Sequence, residues 1–462
     1  MKLWQKNIAS LKEVEKFTVG KDQEFDLLLA PYDIQGNIAH AKMLATVGLL
    51  TTDEADALVT ELREIFKTTQ SSTPPLVHKD SFGGDGGATL RFTIDAGIED
   101  VHSQVEYLLT KKLGDTGKKI HSARSRNDQV LVDIKLFLRA ELEKTVTAIQ
   151  AFQHLLLEQS EKFKQYLLPG YTHLQLAMPS SFGLWFGAYA ESLVDDTITI
   201  KAAYDVVNKN PLGSAAGYGS SFPINRTLTT HLLGFANLNH NVVYAQMGRG
   251  KAERIVASAL ANVADTLAKL SMDACLFLNQ NFGFVSFPPE LTTGSSIMPH
   301  KKNPDVFELI RSHCNRIKAL PNEISMMTTN LPSGYHRDLQ LLKEHLFPAF
   351  DTLRTCMDMA ALMLTHMEVN KDILADEKYK YLFSVEEVNK LVLQGLPFRD
   401  AYKKVGMDIE NGSYTYTTNV QHVHEGSIGN LHNTEIQAMM ASVVDSFAFE
   451  GYHTAIASLL GE

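Results

Sequence analysis

The sequence predicts a mainly α protein of three helical regions, with long helices bundled at its centre. Three observations carry this expectation. Apolar residues recur at alternating spacings of four and three along two extended stretches, prolines leave one very long gap, and strand-like alternation is scarce. The 462 residues, 44% of them apolar and 21% charged, supply ample core for such a bundle. The same balance excludes a disordered chain, a collagen repeat and a disulfide scaffold.

Residues 1 to about 109 read as an N-terminal, mostly helical region. Its glycine run Gly83–Gly87 is not bounded by a strand and a helix, as a nucleotide-binding turn requires. It reads as a flexible loop or a short hairpin near Thr89–Ile94. Residues from about 110 to 360 hold the long helices. One seam runs through Leu131, Ile134, Leu138, Leu142, Val146, Ile149, Phe152 and Leu156. Another runs through Val256, Leu260, Val263, Leu267, Leu270, Ala274 and Phe277, inside 64 residues without proline between Pro223 and Pro288. A third long helix is expected between Pro179 and Pro211, and a fourth starts near Pro304. Residues 361–462 form a smaller helical region with turns at Leu396-Pro397 and Gly412-Ser413. Helices of this length, seamed on one face, are best buried against copies of themselves, so an oligomer is expected.

With 53 acidic against 43 basic residues the net charge is -10, which argues against nucleic-acid binding. Cys275, Cys314 and Cys356 are odd in number and far apart, so they read as reduced core thiols rather than a zinc or disulfide framework. The first residues lack the apolar segment of a signal peptide, and no run of about 18 apolar residues occurs. A cytoplasmic protein without a membrane span is expected.

Three polar stretches interrupt the helical pattern. His121–Val130 (HSARSRNDQV) precedes the first seam. Its arginines, serines and Asn127 can form an anion-binding rim at a helix start. Equally, the stretch can be a capping segment, with Asn127 or Asp128 as N-cap and Arg124 and Arg126 in surface ion pairs. Pro169–Ser180 (PGYTHLQLAMPS) puts Thr172, His173 and Gln175 in a proline-bracketed loop between helices. Thr292–Asp305 (TTGSSIMPHKKNPD) is the most informative. Gly294, Ser295 and Ser296 suggest a mobile lid that Ile297 and Met298 could close over a site. Asn303-Pro304-Asp305 reads as N-cap, first helical residue and first-turn acid, which sets Lys301 and Lys302 beside the positive end of a helix.

Together these pieces suit a polycarboxylate substrate. Removing a proton next to a carboxylate demands stabilisation of a doubly charged aci-carboxylate, and lysine, asparagine and backbone donors supply it. A serine serves as base only where oriented N–H groups or a lysine stabilise its alkoxide. A histidine tuned by a carboxylate, with Glu308 close by in the next helix, could act on the leaving side. The outcome is an elimination that gives an unsaturated diacid.

At these residues the chain resembles the fumarase/aspartase superfamily. Gly294–Asp305 (GSSIMPHKKNPD) is similar to the superfamily signature. HSARSRNDQV and PGYTHLQ resemble the branch whose substrate is argininosuccinate. Leu3-Trp4, Asp33–Leu44, Asn210–Ser214 and Leu396–Tyr402 resemble further segments of that branch. The resemblance implies a carbon–nitrogen lyase of the amidine-lyase type that releases fumarate and arginine, the last step of arginine biosynthesis, without cofactor or metal. It also implies a homotetramer with a 20-helix core and active sites drawn from three subunits. By this resemblance Ser295 is the proton-abstracting base, Lys301 and Asn303 hold the carboxylate that enolises, and His173 with Glu308 serves the acid side. Ser125, Arg126, Asn127 and Thr172 would contact the fumarate moiety, with Gln175 a neighbour. Tyr335, Gln340 and Lys343 would form the substrate-binding run after the lid helix.

The chain departs from the pattern at several positions. His336 stands where asparagine is usual, Leu341-Leu342 where Glu-Asp is usual, and Asn225 where aspartate is usual. Met247–Gly250 (MGRG) replaces an S-D-R-D run. Two alternatives follow: a lyase of the same fold for adenylosuccinate or aspartate, or a non-catalytic scaffold of the crystallin kind.

Overall fold

The computed structural model describes residues 11–70, 91–420 and 422–462. The Leu3-Trp4 pair, the Gly83–Gly87 run and Thr89 lie outside the described residues, and from Arg91 to Ile94 the backbone forms no strand. The N-terminal helices are α1 (Lys12–Val19), α2 (Asp22–Thr46), α3 (Thr52–Gln70), α4 (Val101–Leu113) and α5 (Asp115–Lys119). The centre holds α6 (Arg126–Lys162), α7 (Phe182–Val207), the short α8 (Arg226–Leu232) and α9 (Val242–Met247), then α10 (Lys251–Leu278), α11 (Asp305–Met327) and α12 (Leu342–Thr365). Last come α13 (Ser384–Leu393), α14 (Phe398–Glu410), α15 (Asn433–Asp445) and α16 (Phe449–Leu460).

Both sequence seams are buried helix faces. All of the 256–277 seam in α10 and, from Ile134 on, the α6 seam turn into one core, while Leu131 is buried outside it. Helices α6, α7, α10, α11 and α12 pack side by side around that core. A second apolar cluster joins α2, α3, α4 and the start of α6 to Leu459 of α16, so the chain's end returns to the N-terminal region. α13 and α14 keep a small core of their own around Val388, Ala401 and Val405. By length and composition α10 could cross a membrane, but most of its apolar stretch is buried inside this bundle, as a core helix is.

Proline gaps located the long helices incompletely. α2, α11 and α12 each carry an internal proline, at Pro31, Pro321 and Pro348. Packing on the core outweighs the lost hydrogen bond at each of them.

The helix starts also differ from the sequence expectation. α6 is capped by Ser125, not by Asn127 or Asp128. Ser125 Oγ accepts from the Asn127 amide at 3.3 Å, and Asp128 returns a bond to the Ser125 amide at 2.9 Å, a capping box. Asp128 also accepts from the Gly213 and Ala215 amides, which pins the Asn210–Ser214 segment against this helix start. Burial nevertheless pushes the Asp128 carboxyl up to about 6. At α11 the cap position falls on Pro304 rather than Asn303, and no side chain caps it.

Pro169–Ser180 is not a plain loop. Strands β1 (Leu167–Thr172) and β2 (Gln175–Ser181) pair antiparallel, with Thr172 opposite Gln175. His173 and Leu174 make the two-residue turn, both left-handed at φ 53° and 58°. Such turns normally use Asn-Gly, so a His-Leu pair stores strain of about 1–3 kcal/mol per residue. The hairpin leads into α7 through Ser181, whose Oγ accepts from the Leu184 amide at 3.1 Å.

Candidate active site

The starts of α4, α6 and α12 and the first turns of α2 enclose a cleft of about 250 Å³. Five of the residues singled out from the sequence meet there: Arg126, Asn127, Tyr335, Gln340 and Lys343. Helix α6 delivers the first two at its capped N-terminus, where the dipole favours an anion. Tyr335 and the 3-10 turn Arg337–Leu341 ahead of α12, and that helix's first turn, deliver the other three.

The cleft is not a simple positive basin. Lys343 is buried and bonded at 2.5 Å to both Asp22 and Asp26, one turn apart on α2. Those two carboxylates outweigh burial and raise the lysine's pKa above its ordinary value. Burial and the Asp26 charge lift Asp22 to about 6, with Lys343 pulling against them. Arg126 is a partly buried anchor rather than a surface ion-pair residue: it donates to Asp100 at 2.9 Å and to Ser103 Oγ at 2.8 Å. Burial opposes Asp100's charge, but His102 and Arg126 outweigh it and hold that carboxyl below its usual range. Arg124 is likewise off the surface, buried with a bond to Asn37. Gln340 spans to the Thr18 carbonyl at 3.0 Å and closes the cleft toward α1.

The lid segment is a closed loop with its serine held at a defined point. Its base is pinched by the pairing of Thr293 with Asn303, whose amide donates to the Thr293 carbonyl at 2.9 Å. Ser295 Oγ accepts from two backbone amides, Ile297 at 3.3 Å and Met298 at 3.1 Å. Two N–H groups converging on one hydroxyl oxygen are what an alkoxide needs. Lys301 and Glu308 are exposed, Asn303 is half-exposed, and Ile297 stands 82% exposed. Asn303 uses its side chain inside the loop, on the Gly294 carbonyl and Thr293 Oγ1, both at 3.4 Å.

Within one chain the remaining residues stay apart. Neither the hairpin tip (Thr172, His173, Gln175) nor the lid residues (Ser295, Lys301, Asn303), nor Glu308, line the Arg126 cleft. Ser125 sits behind the cleft as the α6 cap. Two exposed polar groups, the tip and the lid, therefore face outward on the long bundle.

The sequence reading missed Asp22, Asp26, Glu99, Asp100, His102, Arg249 and Arg337 in the cleft lining. Asp22 and Asp26 carry a usable signal, two acids at i and i+4, on one face at the start of a helix. Of the departures, Leu342 points into the core and Leu341 lies outside the cleft lining, so neither alters it. Met247, Arg249, Gly250 and His336 line a neighbouring cavity of about 330 Å³ that shares Arg249 with the cleft. Asn225 caps α8 by accepting from the Leu228 amide at 3.0 Å, a task that asparagine and aspartate perform alike. Beneath the cleft, one ligand atom each from Asp33, His102 and Asp133 lies within 4.8 Å of the others, close enough to hold an ion. The His102 ring and the neighbouring Arg124 already set positive charge against those two carboxylates.

Solved structures share this architecture. An EDDS lyase variant with bound fumarate superposes with a TM-score of 0.73 at 19% identity, covering 98% of this chain and 95% of that one. A class II fumarase from Schistosoma mansoni superposes at 0.67 with 16% identity, covering 84% and 85%. The model of the lyase family matches residues 12–319, so the chain belongs to that family and has the fold of the fumarase/aspartase superfamily. An argininosuccinate lyase from Bacteroides fragilis is 56% identical over 460 residues, covering 100% of this chain and 99% of the relative. Within the family, the chain belongs with the argininosuccinate lyases.

Proposed function

We propose that this protein cleaves argininosuccinate to arginine and fumarate by β-elimination. The observation that carries the reading is the mixed charge of the cleft: Arg126 and Lys343 stand beside the acids Asp22 and Asp26. A substrate with carboxylates at one end and amino and guanidinium groups at the other fits that lining. Adenylosuccinate, with a phosphate at its far end, would meet Asp22 and Asp26 there and be repelled.

In the reaction Ser295 Oγ, with the Ile297 and Met298 amides stabilising its alkoxide, takes the proton from the carbon next to the enolising carboxylate. Lys301 and Asn303 hold that carboxylate as it gains charge. The carbon–nitrogen bond then breaks, the electron pair leaves with the nitrogen, and His173, tuned by Glu308, serves the acid side. Ser125, Arg126, Asn127, Thr172 and Gln175 position the fumarate portion, and Tyr335, Gln340 and Lys343 the arginine portion. The cleft, the hairpin tip and the lid would meet only in a homotetramer, each site drawing on three subunits around a 20-helix core. Such an enzyme would work in the cytoplasm, without cofactor.

The test is fumarate absorbance after argininosuccinate, adenylosuccinate or aspartate is added to purified protein. Fumarate from argininosuccinate alone is expected. Absence of fumarate from argininosuccinate would overturn the proposal, and absence from all three would favour the scaffold alternative.

A further inference from the structure

Under the cleft, three helices grip one histidine. His102, the second residue of α4, is buried and yet lines the cleft beside Arg126 and Asn127. Its Nδ1 lies 2.8 Å from Asp33 Oδ1 of α2 and 3.5 Å from Asp133 Oδ2 of α6. Asp33 is itself fixed, accepting from Asn37 Nδ2 at 2.8 Å and Gln129 Nε2 at 3.1 Å. A carboxylate so engaged is an acceptor, so Nδ1 carries the proton and the ring is locked in one orientation. Among the described residues the ring's contacts with Asp33 and Asp133 both run through Nδ1, which leaves Nε2, on the far side of the ring, for the cleft that His102 lines.

We propose that His102 is a substrate-binding residue: a fixed imidazolium whose Nε2–H takes a carboxylate of the substrate, with Asp33 and Asp133 as positioning residues behind it. This rests on the reading of the substrate as a polycarboxylate. The charges around the ring are Asp33 from α2, Asp133 from α6, Asp100 from the α4 cap, Arg126 from the start of α6, and His121 and Arg124 from the segment joining α5 to α6. Burial opposes the ring's charge, but the three carboxylates outweigh it and hold the imidazole up at about 9. The ring is thus a cation throughout the neutral range, useless as a base and well suited to hold an anion.

Two substitutions separate binding from scaffolding. In His102→Gln the amide nitrogen reaches the place of Nε2, whereas in His102→Asn it reaches only the place of Nδ1, on Asp33. Succinate, a plain dicarboxylate, is the probe, with binding followed by calorimetry on the intact oligomer. His102→Asn is expected to weaken succinate roughly tenfold or more, the usual loss for a charge-assisted hydrogen bond, and His102→Gln to weaken it less. With argininosuccinate the change should fall on KM rather than kcat. Wild-type affinity for succinate should fall as pH rises through about 9, since the raised pKa keeps the charge below that value and loses it above. The reverse order, with Asn retaining affinity and Gln losing it, would show that the ring only holds Asp33 and would overturn the proposal. Wild-type affinity that is flat with pH, or absent, would overturn it too, even if neither variant folds. Failure to cleave argininosuccinate would sink the proposed function and leave the succinate result to decide His102 alone.

Discussion

Ser295→Ala is expected to lower turnover by about 10²–10⁴-fold, the range that a positioned general base contributes. The loss should appear in kcat, because in the proposed reaction the hydroxyl acts on the reacting carbon and contributes little to ground-state binding. Stability should hardly change: the side chain is only half-buried, and its bonds are to the Ile297 and Met298 amides of its own exposed loop. Steady-state kinetics together with the oligomer's size on a gel-filtration column check both halves. Full activity in the variant would place the base elsewhere. Lost oligomerisation would show that the loop is structural.

Lys343→Met is expected to be the costliest single change for the fold. It leaves the buried carboxylates of Asp22 and Asp26 facing each other without the cation that both now bond at 2.5 Å. Breaking a buried pair by removing one partner typically costs about 3–5 kcal/mol. The loss has a pH signature. Asp22 already sits near 6 because burial and Asp26 raise it, while Lys343 lowers it. Without the lysine its folded pKa climbs further, so the folded variant holds a proton that the unfolded chain releases. Stability relative to wild type therefore falls as pH rises through about 6 and beyond. Urea unfolding of both proteins at about pH 5 and about pH 8 measures it, with the larger gap expected at the higher pH. An equal gap at both would mean that Asp22 does not titrate as described.

What the sequence made legible, and what it hid, follow from the range of the interactions. The seams of α6 and α10 are local repeats, so eight and seven apolar positions marked the buried faces of the two helices, though not their ends. α2 and α12 were not marked, because Pro31 and Pro348 sit inside them and the packing that tolerates a proline comes from elements far along the chain. The hairpin was hidden for a different reason: His173-Leu174 lacks the turn residues that announce a tight reversal. The signature segment at Gly294–Asp305 was readable because its chemistry is contiguous. The acids of the cleft were not, since Asp22, Asp26 and Asp100 acquire meaning only when Lys343 and Arg126 are folded against them. The same holds for His102, an unremarkable histidine in the sequence until Asp33 and Asp133 close on it.

In the proposed function, the lid, the hairpin tip and the cleft form one site only across subunits. It can be tested by mixing two inactive variants, Ser295→Ala and His173→Asn, dissociating them and letting them reassemble. If the sites are shared, hybrid oligomers contain some sites built wholly from intact segments, and a fraction of the wild-type fumarate-forming rate returns. If each chain carried a complete site, mixing would give no more activity than the two variants alone, and the composite site would be contradicted.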